Sequence, residues 1–467
     1  MASVLLIYPY FRREHDRSRF RFPPLGVAYL ASSLRAAGHD VAVLDCTFLD
    51  RHEALARALA ARASIVGISC TATLVDHALW FADRLRGSCG LLIAGGPMPT
   101  WEPETFLPHV DLVVAGEGER TICDVAAAFE AGADPADVAG VVTAETQATG
   151  ARKNGRGGGG SVGPLPPLPP PPRPFVEDLD TLPFPARDLL PNADYIGFGR
   201  RRYGFAVTTV MTTRGCPFDC VLCSNVVFGR SYRERSPGNV VDEIEQALTL
   251  GYDRVSFADD VFTLRPERVI AICDEITRRG LRVEWECLGR VDSLDGPTAR
   301  RMRSAGCRRI FFGIESGNDE ILRLMKKGVT VHQATTAVAA AHDAGLEVGA
   351  FFILFYPGET DETVLDTLRL ARSLPLDYVG LTMPYPLPGT ALAERLGDRR
   401  RRLWRQQAGL LLDHTLTFDA DVSASKLRFA LLKGHAEFEL ARRLAPLGPW
   451  ALRAFVPATD RLLRLLN

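Results

Sequence analysis

Three cysteines lie close together near the middle of the chain, in the segment TTRGCPFDCVLC. They are Cys216, Cys220 and Cys223, so three thiols fall within eight residues. Three thiolates at this spacing can converge on one soft metal centre. A structural zinc ion needs a fourth tight ligand from a second CxxC or a histidine pair, and none stands nearby in the sequence. The pattern therefore favours an iron–sulfur cubane with one iron left open to a small molecule, and zinc is the alternative.

The elements around this segment predict a barrel of alternating strands and helices. Apolar runs of strand length recur at 206–212, 254–258, 283–287, 309–314, 348–354 and 378–383. Helical patterns separate them. Six such units predict a full or partial parallel barrel, whose chemistry belongs at the carboxyl ends of its strands. The cysteine segment directly follows the first of these strands.

Polar side chains recur at the same rim of the predicted barrel. Asp259 and Asp260 end the second strand, Arg290 follows the third, and Glu315 and Ser316 end the fourth. An acidic pair can accept hydrogen bonds from an ammonium group, an arginine can clamp a carboxylate, and a glutamate can hold ribose hydroxyls. An aspartate at a strand end is alternatively a helix N-cap. Together the five residues predict one shared ligand site.

These segments resemble the radical S-adenosylmethionine (SAM) superfamily, in which CxxxCxxC follows the first barrel strand. FADDVF, CLGRVD, GIESG and FYPGET are similar to its recurring segments, and TTRGCPFDCVLC is similar to its cobalamin-binding branch in particular. The resemblance implies a [4Fe–4S] cluster on the three cysteines and SAM bound by the five rim residues. It also implies that the backbone of Leu222 meets the adenine, at a position where the family usually has an aromatic residue.

The first part of the chain predicts a separate doubly wound sheet, with strands at 4–8, 41–45, 65–69, 91–94 and 112–115. Its later strands run into small or glycine-rich turns, at the edge where open α/β sheets bind ligands. The stretches PPLGVAYLASSLRAAGHDV, VGISCTAT, IAGGPMPT and VVAGEGER resemble the cobalamin-binding module of the same family. The resemblance implies that cobalamin is bound by Ser69, Thr71, Thr73, Gly95, Gly96, Pro97, Gly116 and Glu117.

The domain organisation follows from these patterns. We expect an α/β protein with a Rossmann-like (flavodoxin-like) cobalamin-binding domain at 1–150 and a partial (β/α)6 radical SAM barrel at 176–395. A helical C-terminal region is expected at 396–467. The intervening linker, 151–175, holds four consecutive glycines and then eight prolines, a composition that cannot bury apolar surface.

Composition and charge limit the classes of partner and the compartment that we expect for this protein. The net charge of −1 gives no reason to expect nucleic acid, and no apolar run is long enough to span a membrane. Ten cysteines in 467 residues do not make a small secreted disulfide framework, so a reducing cytoplasm is the expected compartment.

The resemblance implies an enzyme that cleaves SAM to a 5′-deoxyadenosyl radical, with a flavodoxin or ferredoxin as electron donor. It favours a cobalamin-dependent methyltransferase that acts on an unactivated carbon of a small-molecule or natural-product intermediate. The alternative is non-methylating chemistry, such as oxidative cyclisation, deoxygenation, dehydration or rearrangement, with a vestigial or differently used cobalamin domain. The DxHxxG motif of some cobalamin modules is missing, and His15 stands out of pattern in the corresponding loop. Both functions therefore stay open.

Overall fold

The computed structural model describes residues 1–11, 21–146, 173–397, 422–444 and 455–466. Within these residues the chain forms two six-stranded sheets and one two-stranded ribbon. His15 and linker residues 151–172 lie outside the described residues. None of the described helices is both long and apolar enough to cross a membrane. All ten cysteines are free thiols.

The first sheet belongs to the N-terminal region. Its strands are β1 Ser3–Tyr8, β2 Asp40–Asp45, β3 Ile65–Ser69, β4 Leu91–Gly95, β5 Leu112–Val114 and β6 Val141–Val142. The helices are α1 Leu25–Ala36, α2 Arg51–Ala60, α3 Val75–Leu85, α4 Pro97–Trp101, α5 Pro103–Phe106 and α6 Gly118–Glu130. The strand order is β2-β1-β3-β4-β5-β6, and only β6 runs antiparallel to its neighbour.

Both faces of this sheet are covered by helices, which explains its nearly continuous apolar strands. Residues of α1 and α6, such as Leu34 and Val125, pack with one face. Residues of α2 and α3, such as Ala58 and Phe81, pack with the other. The strand order reverses between β1 and β3, so the carboxyl edge there is where an open α/β sheet binds ligands.

The second sheet is the predicted partial barrel. Its strands are β7 Val207–Val210, β10 Arg254–Phe257, β11 Glu284–Gly289, β12 Cys307–Glu315, β13 Glu347–Ile353 and β14 Tyr378–Thr382. All neighbours in the order β14-β13-β12-β11-β10-β7 are parallel. Because β7 and β14 stand at opposite ends of this order, the described barrel is open on one side. The predicted α/β fold class is thereby confirmed.

One helix precedes the first barrel strand, and further helices follow the strands and cover the outer face of the sheet. They are α7 Asn192–Tyr203, α8 Pro237–Thr249, α9 Pro266–Arg278, α10 Gly296–Ser304, α11 Asp319–Leu324, α12 Val331–Asp343, α13 Asp361–Ser373 and α14 Ala391–Leu396. Side-chain caps fix where several begin: Thr330 starts α12 in a capping box with Gln333, and Asp295 caps α10. Two further helices, α15 Ala424–Leu444 and α16 Phe455–Leu465, agree with the expected helical C-terminal region.

Side chains alternate between the two faces of each barrel strand. Trp285, Phe312 and Phe352 point outward into the core formed with the helices and are at most 1% exposed. Their sequence neighbours point to the concave face. The six-stranded sheet therefore has one buried face and one open lumen, which positions everything at its carboxyl rim.

A short antiparallel ribbon brackets the cysteine segment. It pairs β8 Thr213–Arg214 with β9 Arg233–Glu234. The sequence pattern predicted neither β8 nor β9, because two-residue strands carry no periodic signal. The ribbon turns the residues between its strands into a loop closed at its base.

Candidate active site

The loop that carries the three cysteines is fixed by backbone contacts. At its start Gly215 has φ +79°, and a Cβ there would lie 2.3 Å from the carbonyl oxygen of Ser231. Only glycine fits this turn. Further along, the amide of Val221 donates to the carbonyl of Met325, and the amide of Leu392 donates to Val221. The loop is thus anchored to the segment after α11 and to the start of α14.

The thiols lie at the solvent-accessible side of this loop. Cys216 and Cys220 are half-buried and Cys223 is exposed. The Cys223 thiol donates a hydrogen bond to the Cys220 sulfur and lowers the pKa of Cys220 to about 6, and the positive charges of Lys327 and Arg290 act in the same direction. Burial raises the pKa of Cys216. The thiolate is the form that binds metal, so at least one ligand is prepared for it.

The donor set fits an iron–sulfur cluster better than a single ion. No three histidine, cysteine, aspartate or glutamate side chains of the described residues are grouped closely enough to hold one metal ion. A tetrahedral zinc with Zn–S bonds of about 2.3 Å would bring its sulfurs to about 3.8 Å from each other. Three thiols of one loop without a fourth ligand suit a cubane whose fourth iron is free of protein.

The two aspartates predicted at the end of the second barrel strand have different surroundings in the structure. Asp259 is buried, and its carboxylate accepts hydrogen bonds from the amides of Thr212 and Thr213, at 2.6 and 3.0 Å, and from the Thr212 hydroxyl. It ties β10 to the ribbon that bears the cysteines. Asp260 is exposed, and its charge raises the pKa of Cys216 in addition to the effect of burial. A contact between these aspartates and SAM stays a prediction, and the exposed Asp260 suits it better than the buried Asp259.

The predicted arginine is also engaged within the protein. Arg290 is 5% exposed, pairs with Asp292 through two bonds of 2.9 Å, and donates to the Lys327 carbonyl at 3.0 Å. Its guanidinium lies 3.5 Å from the ring centroid of Phe218, inside the cysteine loop. Arg290 therefore holds this loop against the barrel. That it also binds the carboxylate of SAM stays a prediction.

The remaining three predicted SAM residues lie at the same rim. Glu315 has a left-handed backbone, φ +73°, and accepts a hydrogen bond from Lys327 Nζ at 3.0 Å. Ser316 is fully buried and shares a 3.2 Å hydrogen bond with the Thr367 hydroxyl, so it fixes the turn behind Glu315. Leu222 is half-buried against the barrel core. The structure thus brings Glu315 and Leu222 to the site and places Ser316 beneath it.

Lys327 is the site residue that sequence reasoning missed. It follows α11 rather than a strand, in the segment MKKGVT, where two lysines suggest a solvated surface. In the structure its side chain is 12% exposed and pairs with Glu315. Burial alone would lower the pKa of Lys327, but Glu315 and Cys220 raise it above its ordinary value. Lys327 is therefore a buried cation beside two of the thiols.

Glu359 in the turn after β13 allows a test of pH dependence. One of its oxygens accepts the Tyr356 amide at 2.8 Å, while the other is buried without a hydrogen-bond partner. Burial raises the pKa of this carboxyl from 4.5 to about 8. Between those values the folded protein keeps a proton that the unfolded chain has released, so the free energy of unfolding falls as pH rises through this window.

We therefore expect Glu359→Gln to become more stable relative to the parent protein as pH rises from 5 to 8, by up to about 1.4 kcal/mol per unit of pKa difference. Urea denaturation of both proteins at several pH values measures this difference. Parallel pH profiles of the two proteins would contradict the buried, protonated carboxyl.

A separate apolar cavity lies at the carboxyl edge of the N-terminal sheet. It has a volume of about 430 Å³ and is bounded by the sheet, by α1 and α6, and by Thr209, Val227 and Phe228 of the barrel region. Seven of the eight residues predicted to bind cobalamin line it: Ser69, Thr71, Gly95, Gly96, Pro97, Gly116 and Glu117. Thr73 does not line the cavity, and its hydroxyl lies 3.4 Å from that of Thr71.

The cavity depends on glycine at its closest turn. Gly96 has φ +100°, and a Cβ there would lie 2.9 Å from the carbonyl oxygen of Cys70. The neighbouring backbone is therefore open to a ligand without intervening side chains. An apolar cradle of this kind fits the insertion of a flat apolar group such as the aromatic base of cobalamin's nucleotide tail.

Glu117 makes a contact that the sequence did not predict. Its carboxylate accepts hydrogen bonds from Arg214 at 3.3 Å, Arg233 at 2.7 Å and the Val176 amide at 2.8 Å. Glu119 also pairs with Arg214. All four charged side chains are at most 7% exposed. This buried network joins the cavity turn directly to the ribbon that bears the cysteine loop. Arg214 and Arg233 of the ribbon thus hold Glu117 in place on the cavity wall.

A tryptophan provides a second connection between the two sites. Trp101, at the end of α4, donates from its indole nitrogen to the hydroxyl of Ser224 at 3.1 Å. Ser224 directly follows Cys223. The indole lies over Gly389, where an added Cβ would be 2.0 Å from the ring. The apolar cavity and the cysteine loop are therefore adjacent parts of one structure.

Two family models match the chain. The model described as "Radical SAM superfamily" matches residues 210–371, and the one described as "B12 binding domain" matches residues 16–126. The first match includes the cysteine loop and most of the barrel. The second includes all the residues predicted to bind cobalamin. Both resemblances drawn from the sequence are thereby confirmed.

The chain is similar to curated proteins along most of its length. It is 34% identical to the uncharacterized methyltransferase PH0819 of Pyrococcus horikoshii, over 80% of this chain and 78% of that protein. It is 30% identical to an anaerobic magnesium-protoporphyrin IX monomethyl ester cyclase of Rubrivivax gelatinosus, over 85% and 70%. Its fold is shared with the radical SAM methyltransferase TsrM of Kitasatospora setae, solved with cobalamin and a [4Fe–4S] cluster, at 21% identity, a TM-score of 0.68, and coverage of 85% and 79%.

Proposed function

This chain belongs to the family of radical SAM enzymes that carry a cobalamin-binding domain, and we propose that it methylates an unactivated carbon of a small-molecule or natural-product intermediate. The observation that carries the proposal is the direct joining of the two sites. Trp101 bonds to Ser224 beside the cysteine loop, and Glu117 of the cavity wall bonds to Arg214 at the base of that loop. Transfer of a methyl group from cobalamin to a radical formed beside the cluster requires the two sites to be adjacent, and these contacts make them so.

The cofactors supply the chemistry when bound: the cluster with SAM provides a carbon-centred radical, and cobalamin provides a methyl group. The protein provides position and charge. Cys216, Cys220 and Cys223 would hold the cluster, and the carboxylates of Asp260 and Glu315 offer acceptors for the polar groups of SAM at the rim. A flavodoxin or ferredoxin is the proposed electron donor.

Other charges of the site stabilise this arrangement. Lys327 and Arg290 place two positive charges beside Cys220, which favours its thiolate. Phe228 and Val227 line the cavity on its barrel side with apolar side chains, which disfavour water there.

Non-methylating chemistry is the second candidate. The similarity to a magnesium-protoporphyrin IX monomethyl ester cyclase favours it, because that protein aligns with 85% of this chain. The same barrel rim would then generate a substrate radical that closes a ring.

The two candidates differ in the fate of the SAM methyl group. We would reconstitute the full chain anaerobically with iron, sulfide and hydroxocobalamin, then supply a flavodoxin reducing system, SAM with a deuterated methyl group, and an extract of small metabolites. Methylation predicts products that carry the intact deuterated methyl group, in amounts that fall when cobalamin is left out. Unlabelled products that have lost hydrogen would instead favour cyclisation and contradict the proposal.

A further inference from the structure

The lumen face of the barrel is arranged in layers. Strand register places Glu286, Arg309 and Glu347 side by side, and Leu288 beside Phe311 one level higher. Phe351 is one level higher again, beside Gly313. The rim residues stand above these. A charged layer at the bottom of the lumen is thus followed by an aromatic layer and then by the cofactor rim.

The aromatic layer is flat because glycines lie beneath its rings. A Cβ at Gly349 would be 2.3 Å from the ring of Phe311, and a Cβ at Gly380 would be 2.6 Å from the ring of Phe351. Each ring therefore lies across the neighbouring strand instead of standing away from the sheet. The two rings are stacked, with centroids 5.5 Å apart and planes 17° from parallel. Two nearly parallel aromatic rings therefore lie next to each other on this face of the sheet.

This surface is accessible in a part of the fold where apolar side chains are normally covered. Phe351 is 40% exposed and Leu288 is 37% exposed, although both lie within strands of the central sheet. Exposed apolar side chains inside a concave lumen indicate a ligand site rather than a defect of packing.

The charges near this layer pair with each other. Arg309 bonds to Glu347 at 2.6 Å and to Glu286 at 3.3 Å, and its guanidinium lies over the ring of Tyr378. Arg308 also pairs with Glu347 at 3.0 Å. A ligand lying on the two phenylalanines meets paired charges below it, so the body of that ligand is expected to be uncharged.

The aromatic layer also lies close to the cofactor rim along the strands. Glu315 pairs with Phe352, the residue directly after Phe351, because the register shifts at a bulge between Gly313 and Glu315, so the rim lies about 3.3 Å further along the strand. A flat molecule stacked on Phe351 would lie about 3.5 Å from the ring, on the lumen side of the sheet. It would therefore lie in the lumen beside the rim that carries the predicted SAM residues.

We propose that Phe311 and Phe351 form the platform for the substrate, and that this substrate presents an uncharged, flat, unsaturated ring system. The proposal rests on the proposed function, which supplies a small-molecule substrate, and it adds the chemical class of that substrate. Stacking on the two rings favours flat unsaturated rings over saturated rings of the same size.

The test measures ligand binding separately from catalysis. We would titrate the full chain, reconstituted anaerobically, with 2-naphthol and follow the fluorescence of this probe, using decahydro-2-naphthol as a saturated competitor of the same ring skeleton. The parent protein should bind 2-naphthol, and the saturated compound should not displace it at equal concentration. Phe351→Ala should weaken binding about tenfold, and Phe351→Leu, which keeps the apolar volume, should weaken it severalfold.

Phe455→Ala is the matched control, because Phe455 is 37% exposed on α16, away from the lumen. Its binding of 2-naphthol should equal that of the parent protein. Unchanged binding in both Phe351 variants, equal competition by the saturated compound, or no binding by the parent protein would each overturn the platform.

The same preparations distinguish this proposal from the proposed function. Formation of 5′-deoxyadenosine from SAM by the parent protein tests the cofactor rim separately from the platform. If that reaction occurs while Phe351→Ala leaves 2-naphthol binding unchanged, the platform is wrong and the radical chemistry stands. If the parent protein binds 2-naphthol and forms no 5′-deoxyadenosine, the platform stands and the proposed function fails.

Discussion

Cys216→Ala is expected to abolish formation of 5′-deoxyadenosine from SAM. With one of three thiolates removed, the remaining two cannot hold a cubane that already lacks a fourth protein ligand. The loop itself should persist, because its backbone is held by Met325, Leu392 and the Gly215 turn rather than by the thiols. Acid-labile sulfide, the visible absorbance of the cluster and quantified 5′-deoxyadenosine measure the effect.

Cys89→Ala is the control for this substitution. Cys89 is a free, half-buried thiol like Cys216, but it lies in the N-terminal domain before β4. Its variant should keep the cluster and the SAM cleavage of the parent protein. Full cluster content in Cys216→Ala would show that the metal is held elsewhere and would refute the assignment of the three cysteines.

Gly26→Leu is expected to weaken binding of cobalamin at least tenfold. Gly26 lies in the first turn of α1 and lines the apolar cavity, and a Cβ at this position meets no atom within 4 Å. A leucine side chain there would occupy space that the cofactor needs. The helix should not suffer, because replacing glycine by leucine within a helix gains up to about 0.8 kcal/mol. Titration with hydroxocobalamin, followed by its absorption spectrum, measures the affinity.

Gly238→Leu provides the matched comparison. Gly238 is the second residue of α8, as Gly26 is of α1, and a Cβ there would have its nearest neighbour, an Arg279 nitrogen, at 4.0 Å. It does not line the cavity. Both variants should unfold at the temperature of the parent protein or above it, and only Gly26→Leu should lose cobalamin. Equal affinity in the two variants would place the cofactor outside this cavity.

The alternation of strands and helices could be predicted because burial on both faces of a parallel sheet leaves a strong periodic signal. The cavity turns at Gly95 and Gly116 followed from the same logic, since strand ends of one sheet meet at one edge. The position of the predicted SAM residues at the rim of the barrel could be predicted by the same argument. These predictions depend on local pattern and on topology alone.

The interaction partners of individual carboxylates could not be predicted in this way. Asp259 and Glu117 have the sequence positions of ligand-binding residues, yet their oxygens are occupied by backbone amides of the ribbon and by Arg214 and Arg233. Those partners lie tens of residues away in the sequence. Whether a carboxylate faces a ligand or a buried arginine is decided by tertiary packing, which a strand-end pattern does not contain.

Lys327 and the aromatic platform escaped prediction for a related reason. The lysine follows a helix and reaches the cysteines only because the Met325 carbonyl binds the cysteine loop. Phe311 and Phe351 have the same sequence character as the buried Phe312 and Phe352. Only the curvature of the sheet, which sends one face to the helices and the other to an open lumen, separates a core residue from a ligand-binding one.

The joint presence of two cofactors in one chain is tested most directly by metal, sulfide and cobalamin analysis of a single anaerobic preparation. We expect about four iron and about four acid-labile sulfide per chain, together with one cobalamin that survives gel filtration. Stoichiometric zinc without labile sulfide, or a chain that retains the cluster and never retains cobalamin, would contradict the paired sites described above.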